Sequence, residues 1–194
     1  GLDLGSGGVT VVRVSKALRI NKYAFAPLPE GALVAGEILD QDAVVTAITK
    51  ALKVAGIKQK KVVLAIAGEA AAVRHIQMPW MEEAEVPSAI RGEAERYIPF
   101  PPDRAMLDYA ILDRDQQVRE MNILLVCASN DIIYSHLDTI QKAGLQPLAI
   151  DIQPFAMMRG FGKSNYRLEG NVAMLDLGAG SSDLVIAGDG VPYL

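Results

Sequence analysis

Several things are scarce in this sequence, and each scarcity removes a class of protein. There is one cysteine, Cys127, so no disulfide framework holds the chain. It lies in the apolar run Asn122–Ala128 and reads as core packing in a reducing compartment. There is no excess of basic charge: the net charge is −4 and the pI about 5.2, which argues against a nucleic-acid binder. Only two histidines occur, His75 and His136, and neither has cysteine or carboxylate neighbours at metal-ligand spacing, so both read as structural or surface residues. No secretory signal and no stretch of about eighteen apolar residues is present, so this chain alone does not cross a membrane.

What is abundant is apolar residue, 51% of 194 positions, enough for one large domain or two small ones. Val9–Val14 reads as a strand with Arg19–Phe25 as its hairpin partner, and Ala26–Leu39 as mostly turn with a short strand at its end. Gln41–Ala55 has helical spacing, with Asp40 to cap it and Gly56 to stop it, and Lys61–Ala67 is a doubly buried strand. This opening block predicts a mixed α/β sheet. Beyond it come a strand at Ala72–Met78, an amphipathic helix at Glu82–Ile98, strands at Met106–Leu112 and Met121–Ala128, a helix at Asp131–Ala143 and a strand at Gln146–Asp151. Residues from about 70 to 148 thus read as a β-α-β-β-α-β inset. A helix at Pro154–Gly162, a loop at Lys163–Gly170 and a hairpin of Asn171–Leu177 with Ser182–Ala187 follow. Gly1 lies almost against the first aspartate and Leu194 closely follows a strand-like run, so a piece of something longer is expected.

The informative feature is a repetition. GLDLGSGGVTVVRV at the start and MLDLGAGSSDLVIA at 174–187 align at Leu2/Leu175, Asp3/Asp176, Leu4/Leu177, Gly5/Gly178, Gly7/Gly180 and Val12/Val185. Each copy is a strand, an aspartate, a turn of small residues and a second strand. Glycines there let amides approach an anion with no Cβ in the way, and consecutive amides form nests for phosphate oxygens. Ser6, Ser181 and Ser182 add hydroxyl donors. Two carboxylates beside phosphates repel them unless a cation lies between, and Mg²⁺ takes that place, held by one or two carboxylates, waters and phosphate. One such turn is an ordinary glycine hairpin; two, separated by an α/β block, read as a two-jawed phosphate clamp.

The pair resembles the first and second phosphate loops of the actin, sugar-kinase and Hsp70 ATPase superfamily. The resemblance implies an α/β, ribonuclease-H-like actin-type ATPase fold, with ATP and Mg²⁺ as cofactors. Residues 78–112 are more specific. Pro79 precedes an acidic helix ending Glu93, Tyr97, Ile98, Pro99, Phe100, followed by Asp108 and Tyr109, and this is similar to the type IV pilus assembly protein PilM family. That family implies 1–69 as the first part of actin-like subdomain 1A and 70–148 as an inserted α+β subdomain like the 1C subdomain of the division protein FtsA. Residues 149–170 become the return helix and linker, and 171–194 the start of the second half, with the adenosine site beyond it.

The resemblance also implies roles. Asp3 and Asp176 become the magnesium-side aspartates, acting through water. Gly5, Ser6, Gly7 and Gly8 cradle one side of the phosphates, and Gly178, Ala179, Gly180, Ser181 and Ser182 the other. Asp183 is a further polar contact or, preferably, a solvated strand residue. Gln153 stands where actin has a water-orienting glutamine, or is an ordinary first-turn polar residue. One departure matters: the family's first loop commonly carries a lysine where this chain has Thr10, and Arg13 and Lys16 do not match its position. Charge compensation dominates such catalysis, so weak or no ATPase activity is expected. The implied protein is cytoplasmic and peripheral to the inner membrane. Its partners are other pilus platform proteins and the N-terminal cytoplasmic peptide of PilN, received in a groove between the first subdomain and the inset; Trp80 and Phe100 read as core packing by default, or as partly exposed apolar residues at such a groove. No nucleic acid is involved, and the membrane is reached only through partners. Rival readings are an FtsA-like membrane-tethered filament protein, a sugar-kinase-type phosphotransferase, and a nucleotide-free scaffold as in type II secretion.

Overall fold

Short β-branched runs bounded by glycine or proline become strands, and runs with apolar residues every three or four positions become helices, in the computed structural model. It describes residues 1–67, 70–99, 101–115, 117–162, 170–188 and 190–193. The strands are β1 (Leu2–Gly5), β2 (Gly8–Val14), β3 (Ile20–Pro27), β4 (Leu33–Val34), β5 (Glu37–Ile38), β6 (Lys61–Ile66), β7 (Ala71–Pro79), β8 (Ala105–Asp115), β9 (Glu120–Ser129), β10 (Gln146–Ile152), β11 (Asn171–Leu177), β12 (Ser182–Gly188) and β13 (Val191–Tyr193). The helices are α1 (Gln41–Ala55), α2 (Val86–Glu93), α3 (Asn130–Lys142) and α4 (Gln153–Gly162). Internal contacts divide the chain into two compact units, Gly1–Ala70 with Tyr134–Tyr193, and Ala71–Ile133. No helix among the described residues is long and apolar enough to cross a membrane.

The first unit is built on a five-stranded sheet in the order β10-β6-β1-β2-β3. β1, β2 and β3 run antiparallel, whereas β6 is parallel to both β1 and β10, which makes the sheet mixed as expected. α1 has the predicted limits. Asp40 caps it by accepting the Ala43 amide at 2.9 Å, and Gly56 ends it in the left-handed region at φ 60°. Its buried residues Val44, Ile48 and Ala51 pack on Leu2, Leu4, Val9 and Leu64, and Ile140 of α3 joins the same core. Burying each large aliphatic side chain contributes about 1.5–3 kcal/mol. Gln41 ties the two helices, donating to Asp138 Oδ2 at 2.7 Å and to Thr139 Oγ1 at 3.1 Å. β10, grouped with the inset by its place in the sequence, takes its hydrogen bonds from β6 in this sheet.

The second unit is an antiparallel sheet in the order β7-β9-β8 with α2 over one face. Val86, Ile90 and Ala94 pack against Ile76, Met78, Met121, Ile123 and Cys127, so the lone thiol is core. Burial of that thiol holds its pKa above the ordinary value, with the Ala72 backbone and Arg74 opposing. The helix expected over 82–98 is shorter, eight residues followed by a 3₁₀ turn at Ala94–Arg96. Pro87 explains the late start: it lacks an amide donor and disfavours a preceding helical turn, so it is tolerated only at the helix entrance. Glu82, Glu83 and Glu85 therefore lie before the helix rather than in its first turn. Trp80 is half-buried, with the Arg119 guanidinium 5.7 Å from its ring centroid. Phe100 and the loop over 163–169 lie outside the described residues.

Candidate functional site

Both aspartate–glycine stretches fold as hairpins of the same register. In the first, Asp3 pairs with Thr10 and Gly5 with Gly8, leaving Ser6 and Gly7 as the turn. In the second, Asp176 pairs with Asp183 and Leu177 with Ser182, and the Gly178 amide donates to the Ser181 carbonyl at 2.9 Å, leaving Ala179 and Gly180 as the turn. Two-residue turns demand backbone freedom, which is why small residues recur at both tips.

The tips meet. A Cβ added at Gly7 would lie 2.9 Å from the Ala179 Cβ, and one added at Gly180 would lie 2.5 Å from the Ser6 hydroxyl oxygen. Gly8 is wedged under Phe25, whose ring would come within 2.4 Å of an added Cβ. The two turns thus touch at their tips and together line a cleft of about 740 Å³ within the first unit. Asp3, Gly5, Ser6, Gly7, Gly8, Gln153, Asp176, Gly178, Ala179, Gly180 and Ser181 all line it. Ser182 does not; it is the first residue of β12, opposite Leu177. Asp183 does line it, on the same strand pair as Asp176.

Electrostatically the cleft is one-sided. Its charged lining residues are Asp3, Glu30, Asp176 and Asp183, and among the described residues no lysine or arginine joins them. Thr10 faces the cleft from β2, while Arg13, further along the strand, donates to Asn21 Oδ1 at 3.1 Å. Crowding by surrounding protein raises the Asp3 pKa above its ordinary value even though the residue keeps a solvent-exposed side. The Gln153 amide, donating to Asp3 Oδ1 at 3.0 Å, opposes that rise, and the negative charge of Asp176 reinforces it. Gln153 opens α4 and so reaches Asp3 from the helix entrance; nearby, Arg159 of the same helix pairs with Asp151.

These residues suit a magnesium-bound polyphosphate. The small residues of both tips let the turns pack closely and leave their backbone along the cleft wall, and two carboxylates in one cleft match the hard-cation preference for oxygen. Among the described residues no group of three or more His, Cys, Asp and Glu could hold a metal by itself, so the cation would arrive with its phosphates. The sequence reading missed one wall. The hairpin of β4 and β5, read as mostly turn with one short strand at its end, lines the cleft through Leu33–Gly36, and the Leu28 amide donates to the Gly7 carbonyl at 3.3 Å. The Pro27, Pro29, Gly31 and Gly36 cluster signalled a folded turn but not where it would lie.

The family model described as type IV pilus assembly protein PilM matches residues 1–191. A solved structure of a PilM-PilN type IV pilus biogenesis complex superposes with a TM-score of 0.86 at 30% identity, covering 100% of this chain and 59% of the matched one. The chain therefore spans less than two thirds of that relative's length. The cytoplasmic domain of EpsL, an inner membrane component of the type II secretion system of Vibrio cholerae, matches with a TM-score of 0.63 at 10% identity, over 99% of this chain and 69% of that one. At that identity the likeness is one of fold.

Proposed function

The chain belongs to the type IV pilus assembly protein PilM family, and from that premise we propose that it is the actin-like, nucleotide-binding component of a pilus assembly platform on the cytoplasmic side of the inner membrane. It binds ATP-Mg between its twin aspartate–glycine turns and holds the N-terminal cytoplasmic peptide of a PilN. The observation that carries the reading is that Asp3 and Asp176, 173 positions apart in sequence, line one cleft whose turns touch. Asp3 and Asp176 orient the magnesium through water, and amides and hydroxyls at the turn residues Ser6, Gly7, Ala179, Gly180 and Ser181 take the phosphate oxygens, while the closing pair Gly5 and Gly8 shapes the first turn. The Gly178 amide bonds within its own turn and contributes shape instead. Magnesium, when bound, supplies the positive charge that this cleft's side chains lack.

The same lack makes hydrolysis weak, because among the described residues nothing basic faces the transition-state charge. Gln153, with its amide on Asp3, orients that carboxylate and could orient a water beside it. The unit Ala71–Ile133 is the 1C-like subdomain, and the hairpin at 171–188 begins the second half. Nucleotide state biases closure of the cleft and, through it, the affinity for the PilN peptide; equal peptide affinity with ATP, ADP and no nucleotide would argue against that coupling.

The test is calorimetric ATP binding by the full-length protein with and without magnesium, beside Asp3→Ala/Asp176→Ala. Magnesium-dependent binding lost in the double variant is expected. Binding that ignores both magnesium and the aspartates refutes the site, and no binding at all favours the nucleotide-free scaffold, which the cation-poor cleft also suits.

A further inference from the structure

We infer that the outer edge of β8 is a docking strand for an extended, lysine- or arginine-rich segment of a partner polypeptide, which adds to the sheet as a further strand. This surface lies wholly within the second unit and is independent of the phosphate cleft.

The backbone argues first. β8 has eleven residues and, among the described residues, pairs only with β9, so one side of it offers amides and carbonyls. Tyr109 and Arg114 stand opposite Leu125 and Met121, with the register shift between Ile111 and Asp113. That shift keeps their amides on the same side of the strand, together with those of Leu107 and Ile111. The Tyr109 amide donates to Asp108 Oδ1 at 2.9 Å and the Arg114 amide to Asp113 Oδ1 at 2.7 Å. Those carboxylates occupy the edge donors that a neighbouring strand would use.

Charge then selects the occupant. An open cleft of about 830 Å³ runs along this edge, with half-buried Tyr109, Ile111 and Leu112 as its apolar contacts. Its carboxylates are Glu83, Asp108 and Asp113, and among the described residues its one cation, Arg114, pairs with Glu83 at 3.3 Å. Charged side chains on an edge guard it against indiscriminate pairing. A neutral strand would displace both aspartates from their amides and give them nothing in return. A basic strand replaces the carboxylates with its own carbonyls at the amides and offers the released carboxylates its ammonium or guanidinium groups. Strand addition supplies affinity and the aspartates supply selection for positive charge.

The experiment compares three twelve-residue peptides on the intact chain by calorimetry: alternating lysine and valine, the same with glutamate for lysine, and the lysine peptide with its central backbone amides methylated. Hydrogen exchange is followed in parallel. The lysine peptide is expected to bind and to slow exchange at Leu107 and Ile111, while the other two do not bind. Asp108→Asn/Asp113→Asn should weaken it roughly five- to tenfold, as for two solvent-exposed ion pairs, without moving the unfolding midpoint. Equal binding of the methylated peptide reduces the effect to bulk electrostatics and overturns the proposal. So does protection elsewhere in the chain, indifference to the Asp→Asn changes, or no binding by the lysine peptide.

Discussion

The first hairpin, β1–β2, and the second, β11–β12, share their aspartate, glycines and register, yet they live in different surroundings. Leu2 and Leu4 are 4% and 2% exposed, because β1 lies between β2 and β6 and its leucines share one core cluster with residues of α1 and α3. The equivalent Leu175 and Leu177 are 60% and 74% exposed, with Leu184 and Ile186 open beside them. The opposite face of the second hairpin is the packed one: Met174 and Val185 meet Met158 and Phe155 of α4. A repeated motif therefore fixes local hairpin geometry and the chemistry of its tip, while the neighbours decide how much stability each leucine contributes.

The widest predicted gap between the hairpins is in stability. Leu4→Ala should cost about 2–5 kcal/mol in urea unfolding, as a buried truncation does. Leu177→Ala should stay within about 0.5 kcal/mol. Equal costs would mean that the second leucine face is packed in solution and the contrast is wrong.

A smaller difference is expected at the tips. Gly8→Ala drives a methyl into the Phe25 ring and the Ala26 carbonyl, 2.4 and 2.5 Å away, and should cost about 1–3 kcal/mol. Gly180→Ala meets chiefly the rotatable Ser6 hydroxyl and should cost less. Ser6→Ala should recover part of that cost, a coupling that a double-mutant cycle reads directly. Strict additivity would show that the turns do not touch.

The smallest effect is a pH dependence carried by one hairpin. A raised Asp3 pKa means that the folded chain binds this proton more tightly than the unfolded chain. Stability from this group is therefore full below the ordinary value of 3.8 and declines as pH rises through the raised one. Asp3→Asn removes the decline, so urea midpoints of variant and parent should diverge in the variant's favour across that window and run parallel above it. Midpoints that stay parallel throughout would place Asp3 in an ordinary aqueous setting.

Much of this was legible in residues alone. α1 is bounded by a capping aspartate and a left-handed glycine, both local signals, and its limits match the periodicity. The second hairpin has the predicted Asn171–Leu177 strand because its apolar run and glycine turn are also local. Where local rules conflicted, the reading slipped: apolar spacing extended the helix back to Glu82, but Pro87 controls the entrance. A short strand at the end of 26–39 was expected, but its pairing as β4–β5 and its place as a wall of the cleft were not, because four residues of strand leave no periodic trace.

Sequence by itself determined the two acidic glycine turns, their hairpin register and the lack of a lysine at Thr10, because turn chemistry and strand alternation act over a few residues. Only the tertiary structure decided that the turns meet, that β10 joins the sheet of β6 and β1, and that one pair of leucines is buried while its twin is not. Those outcomes depend on which elements pack together across a hundred residues or more, and no local periodicity encodes that choice.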